Sequence, residues 1–121
     1  MKILGIDDNA DITDMLDTVL NSSGHEFSFV NTGKEGLEKM KQTIFDIVLL
    51  DLSMPNFTGQ DVVNALNSEG IINKQKVVLF TASSMTETEI ERLIKEGVHS
   101  CIRKPVDIPD LLEKLVEIGN N

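Results

Sequence analysis

Three carboxylates, a hydroxyl and an amine stand at the ends of short apolar runs in this chain. Asp7 closes "KILGID" (2–7) and Asp8 follows it, Asp51 closes "IVLLD" (47–51), Thr81 closes "KVVLFT" (76–81), and Lys104 closes "SCIRK" (100–104). Taken singly, a strand-end Asp most often caps the next helix, which suffices for Asp8 alone, and a Lys before Pro most often sits in a solvated loop. Capping gives no reason for three acids to share one crevice against their mutual repulsion. A hard divalent cation does give one. Mg²⁺ takes oxygen ligands in octahedral geometry and combines one or two carboxylates with waters and a substrate phosphate. Asp7, Asp8 and Asp51 suit that role, the Lys104 amine suits phosphate oxygens as a point charge, and the Thr81 hydroxyl can donate to another oxygen.

No histidine or thiol base accompanies the set. His25 and His99 fall at or near strand beginnings, the opposite edge of a parallel sheet, and read as surface residues, while Cys101 reads as a small core residue rather than a nucleophile. An ionised Asp is then the natural nucleophile, able to attack phosphorus and form an aspartyl phosphate. Asp51 is the best candidate, because it stands alone after the most apolar strand whereas Asp7 and Asp8 are paired as metal ligands would be. Phosphoryl transfer asks mainly for positioning and charge neutralisation, which a metal and one Lys can provide.

The elements that position these residues follow from periodicity. Runs 2–7, 47–51 and 76–81 are nearly continuous in apolar residues, as expected of strands covered on both faces, and "EFSFVN" (26–31) and 100–104 are weaker strand candidates. Ile12, Met15, Leu16, Val19 and Leu20 recur at helical spacing, as do Ile90, Leu93 and Ile94, and Ile108, Leu111, Leu112, Leu115 and Val116. These three stripes are expected to face the core. Segments 34–42 and 60–68 complete five helices. Thr86 with Glu89 offers a capping box, Asp107 a cap for the last helix, and Gly24 and Gly97 suit helix ends. Five strands alternating with five helices predict an α/β fold, a doubly wound parallel sheet with right-handed crossovers and ligands outside the carboxyl ends of the strands.

At 121 residues and 40% apolar content, the chain has the size and core material of one domain, read as spanning 1–121. A net charge of −9, with eleven Lys and Arg against twenty acids, argues against nucleic-acid or anionic-membrane binding. A single cysteine, the early acid in "MKILGID" and the lack of a long apolar run predict a reduced, cytoplasmic protein.

Together, Asp7, Asp8, Asp51, Met54, Pro55, Gly59, Thr81, Ala82, Lys104 and Pro105 resemble the motif set of the receiver domain of two-component response regulators, in the stand-alone, CheY-like form, over the whole chain. The resemblance implies strand order 2-1-3-4-5 and an Asp51 phosphorylated by the phosphohistidine of a sensor histidine kinase or phosphotransfer protein. It implies Mg²⁺ held directly by Asp8, Asp51 and the Ser53 backbone carbonyl, with Asp7 acting largely through water. Thr81 and Lys104 would hold the phosphoryl oxygens, and the bond to Pro105 would be cis. The protein would promote its own phosphorylation and dephosphorylation without being a turnover enzyme. It would present the fourth helix, fifth strand and fifth helix to an unidentified protein target, as a monomer or as a phosphorylation-dependent dimer.

Cys101 stands where the family usually carries a switching aromatic, so switching without an aromatic rotamer change is expected. Ser53 and Ser83, two residues beyond Asp51 and Thr81, flank the phosphoryl group in the family. Both are small, so water access and moderately rapid self-dephosphorylation are expected.

Three other readings are weaker. A phosphatase of the haloacid dehalogenase kind would need an acid where Ser53 stands and its nucleophile on the first strand. A flavodoxin-like binder would need phosphate-holding amides where Asp7 and Asp8 would repel phosphate. The intact acid set argues against an unphosphorylated interaction module, which the missing aromatic at Cys101 keeps as the alternative.

Overall fold

Branched apolar runs bounded by turn residues form strands that need cover on both faces, and the intervening amphipathic segments supply it. The computed structural model describes residues 1–82 and 84–120. In chain order the elements are β1 (Lys2–Ile6), α1 (Ala10–Ser22), β2 (Glu26–Val30), α2 (Gly33–Gln42), β3 (Ile47–Leu50), α3 (Gly59–Ser68), β4 (Lys76–Ala82), α4 (Glu87–Lys95), β5 (Ser100–Lys104) and α5 (Ile108–Gly119). A short 3₁₀ turn, Ile72–Lys74, precedes β4. All strand pairs are parallel and the order is β2-β1-β3-β4-β5, as expected.

The two-residue alternation of the strands divides the core in two. Leu4, Ile6, Val48, Leu50, Val77 and Leu79 pack with residues of α2, α3 and α4. Ile3, Ile47, Leu49, Val78, Phe80 and Ile102 pack with Leu16 and Leu20 of α1 and Leu111 and Leu115 of α5. Burying each such side chain contributes about 1.5–3 kcal/mol, so the central strands are the most strongly anchored part of the chain. Asp7 and Asp51 continue the alternation of Ile3 and of Ile47 and Leu49, and Lys104 that of Ile102. Thr81 continues that of Val77 and Leu79, towards α3 and α4.

The helical stripes are narrower than their spacing suggested. Ile94, Ile108 and Val116 are 44–45% exposed, whereas Leu93, Leu111 and Leu115 are buried. Both helices flank β5, an edge strand, and an edge covers only the centre line of each stripe.

Helix caps follow local chemistry. Asn9, Thr32, Thr58, Thr86 and Asp107 each accept from a first-turn amide. Thr86 takes the Glu89 amide at 3.1 Å, but the fully reciprocal box lies at Thr58 and Asp61. Gly24 and Gly97 end their helices at φ +87° and +114°, backbone that side chains disfavour.

Gly59 has a different reason. A Cβ there would lie 2.5 Å from the Asp51 carbonyl oxygen and 2.6 Å from the Leu52 Cα. The start of α3 thus presses against the backbone that carries Asp51. Gly59→Ala should destabilise the fold by about 1–3 kcal/mol, the usual range for overpacking. Urea unfolding measures it, and an unchanged midpoint would mean that the loop after β3 yields freely.

Candidate functional site

The strand ends bring the predicted residues together. The Asp51 amide donates to the Ile6 carbonyl at 3.0 Å and the Asp7 amide to the Val30 carbonyl at 3.3 Å, so the ladders continue into the acids. Both backbones are therefore held by the sheet. Asp7 and Asp51 are buried, Asp8 is exposed, and carboxylate oxygens of the three lie within 4.8 Å of one another.

Lys104 reaches this cluster from β5. Its Nζ lies 2.7 Å from Asp7 Oδ2 and 4.0 Å from Asp51 Oδ1, with its charge 5.0 Å from the centre of the Phe80 ring. Asp7 is thus its hydrogen-bonded partner, and Asp51 feels it at longer range. The other Asp7 oxygen accepts from the Asn9 amide at 2.9 Å. Asp51 Oδ1 accepts from the Ser53 amide at 3.2 Å. Lys104–Pro105 is cis, as the resemblance implied.

Burial is the largest influence on Asp51 and raises its pKa above the ordinary carboxylate value, with Asp7 and Asp8 pushing the same way. The Ser53 amide and Lys104 oppose this. Three carboxylate donors of this kind fit a hard divalent cation such as Mg²⁺, whose charge would offset both the burial and the repulsion.

Thr81 and Ser53 line a common groove of about 280 Å³ beside Asp51, with Ala82 and Glu89 on its walls. Ser53 is exposed and Thr81 buried. Ser83 lies outside the described residues. His25 and His99 precede β2 and β5 at the far edge of the sheet, and His25 Nδ1 lies 3.2 Å from the N-terminal amine. Cys101 is half-buried against the α4-side core, and burial raises its thiol pKa, which argues against a nucleophile.

Two positioning residues escaped sequence reasoning. Asn9 caps α1 while its amide holds Asp7. Asn31 Nδ2 donates to the Asp7 carbonyl at 2.8 Å from the end of β2. Asn before a helical run is a recognisable cap signal, but nothing near Asn31 in the sequence points to Asp7.

With that geometry the comparisons agree. The response regulator receiver domain model matches residues 3–116, and the chain belongs to that family. It is 32% identical over 115 residues to the sensor histidine kinase RcsC of Salmonella typhi, covering 95% of this chain and 12% of that protein. It is 28% identical over 114 residues to the response regulator ArlR of Staphylococcus saprophyticus, covering 94% of this chain and 50% of that one. The chain thus spans from about an eighth to half of the length of these curated relatives.

Among solved structures, the CheY-like receiver domain protein of Methanospirillum hungatei matches with a TM-score of 0.86 and 27% identity, over 98% of this chain and 92% of that one. The response regulator TrrA of Thermotoga maritima, solved in complex with Mg²⁺ and BeF, matches at 0.81 and 27% identity, over 98% and 99%. Among the described residues no helix is long and apolar enough to cross a membrane.

The raised Asp51 pKa has a signed consequence. Above its folded-state pKa the native protein carries an ionised carboxylate that folding disfavours, so Asp51→Asn should be more stable than the natural chain at neutral pH without divalent metal. Between the folded value and the unfolded 3.8, the native state holds a proton that the unfolded state lacks. The advantage of the variant should therefore shrink as pH falls through that window and vanish below it. Paired urea titrations from pH 7 to pH 3.5 check this, and an advantage constant with pH would contradict it.

Proposed function

We propose that this receiver domain is a phosphoacceptor of two-component signalling. An Asp51 carboxylate oxygen attacks the phosphorus of a phosphohistidine on a histidine kinase or phosphotransfer protein. The new O–P bond forms as the P–N bond breaks, and the imidazole departs with the bonding electron pair. The observation that carries this reading is the convergence of Asp7, Asp8 and Asp51 within 4.8 Å, with Lys104 beside them.

Each residue has a task. Burial on the β3 side and the Ser53 amide fix the Asp51 carboxylate, and the groove beside it admits the donor. Lys104 can turn from Asp7 towards phosphoryl oxygens, and Thr81 can donate to another. Asp7, Asp8 and Asp51, with the Ser53 carbonyl, would hold Mg²⁺. When bound, the ion supplies charge neutralisation for the phosphoryl oxygens. The reported Mg²⁺–BeF complex of TrrA supports the same reading for this chain. The protein is not a turnover enzyme on this account: it assists its own phosphorylation and the hydrolysis of its own aspartyl phosphate. Ser53, where a phosphatase would place a leaving-group acid, supports acceptance over phosphomonoester turnover. Signalling proceeds through the face of α4, β5 and α5, with Cys101 in place of a switching aromatic.

Incubation with Mg²⁺ and acetyl phosphate should yield one labile +80 Da adduct by intact mass spectrometry, a mass set by adding a phosphoryl group and losing a proton (roughly 80 Da). Asp51→Asn or chelation of the metal should abolish it. No adduct on the natural chain would sink the reading, and rapid turnover of unrelated phosphomonoesters would favour a phosphatase.

Lifetime provides a second check. Exposed Ser53 leaves water a path to Asp51, so the adduct should decay moderately fast, and Ser53→Phe should lengthen its half-life several-fold. An unchanged decay rate would remove Ser53 from the argument.

A further inference from the structure

Thr81 and Arg103 are direct partners in the β4–β5 ladder, so their side chains leave the same face of the sheet, the one that α4 covers. Arg103 reaches past the end of β4. Its Nη1 donates to the Met85 carbonyl, and its Nη2 to Glu87 Oε1 at 2.8 Å. Met85 is a buried residue of the connection from β4 to α4, and Glu87 opens α4. One planar side chain thus ties the strand ending in Lys104 to the connection that starts beyond Thr81. The Glu87 carboxylate is 81% exposed and adds little. The charge-assisted bond to the Met85 carbonyl is the stronger hold.

The other end of α4 is fastened to α3. Arg92 Nη1 donates to Gln60 Oε1 at 3.1 Å and pairs with Glu96, while Asn67 donates to the Glu96 carbonyl at 2.7 Å. Arg103 thus grips α4 at the end opposite these contacts. An anionic group on Asp51 would place acceptor oxygens near Thr81. A Thr81 hydroxyl closing onto them would draw the end of β4 towards Asp51, and Met85, whose amide donates to the Ala82 carbonyl at 3.4 Å, would follow it.

We propose that Arg103 is a latch that holds Met85 and the first turn of α4 in place until Thr81 closes on a phosphoryl group at Asp51. The latch opposes phosphorylation and makes the first turn of α4 its reporter. It stabilises one state only, so it shifts the equilibrium by the free energy of the bonds lost on closing. This inference rests on the reading of Asp51 as phosphoacceptor.

The test is binding of beryllium fluoride with Mg²⁺ to the natural chain and to Arg103→Met, which keeps the aliphatic stem and removes the donors. The variant should bind at least about threefold more tightly, the effect of removing part of one charge-assisted hydrogen bond from one of two states. Its Glu87–Glu91 amides should exchange faster before ligand is added, whereas in the natural chain that loosening should appear only with ligand. Arg103→Lys, which keeps the charge but lacks the planar fork that reaches Met85 and Glu87 from two nitrogens, should fall between the two, and it serves alone if urea unfolding shows the Met variant misfolded. Equal or weaker binding by the substituted chains would overturn the latch, since a purely structural Arg103 would lower stability without tightening the ligand. Failure of the natural chain to bind would instead sink the phosphoacceptor reading.

Discussion

The 2.7 Å ion pair between Lys104 and Asp7, residues 97 positions apart, is the contact on which the strand-end arrangement depends. Three carboxylates within 4.8 Å of one another repel, and two of them are buried. One amine held between Asp7 and Asp51 offsets part of that repulsion from inside the cluster. Removing one partner of such a pair leaves a buried charge uncompensated, which costs about 3–5 kcal/mol in typical cases. The pair can exist only because β1, β3 and β5 end at one edge of the same parallel sheet.

The rest of the fold is arranged to keep that edge rigid. Two apolar clusters, one on each face of the sheet, anchor β1, β3 and β4 along their full buried length. Gly59 lets α3 close against the Asp51 backbone, and Asn31 and Asn9 hold the backbone around Asp7. The site therefore carries an electrostatic penalty that the cores offset. Asp51 shows the penalty most clearly, since its burial raises its pKa despite Lys104 and the Ser53 amide.

The faces of the sheet also separate tasks. Asp7, Asp51 and Lys104 follow the strand alternation that faces α1 and α5, whereas Thr81 and Arg103 follow the one that faces α4. Asp7, Asp51 and Lys104 gather on one side and the connection to α4 leaves from the other. They meet only where β3, β4 and β5 end. Asp51 therefore lies beside the strand end from which the chain leads on to α4.

Much of this was legible in the residues. Continuous apolar runs ending in Asp7, Asp51 and Thr81 announced covered strands with chemistry at their tips, and the strict alternation with helices implied a parallel sheet. Gly24, Gly97 and Asp107 marked their helix ends because the relevant physics is local to one turn. The exposure of Ile94, Ile108 and Val116 was not legible, because periodicity records which residues share a helix face but not how much sheet lies beneath it.

By itself the sequence determined the element types, the strand ends and the list of charged groups there, since these depend on contacts a few residues long. Only the tertiary structure decided which charges pair. It set Lys104 on Asp7 at 2.7 Å rather than on Asp51, placed Asn31 against the Asp7 carbonyl, and turned Arg103 onto Met85 and Glu87. Those choices follow from sheet order and register, which bring together residues far apart in the chain, and Coulomb energy depends on the distance between charges rather than on their separation in sequence.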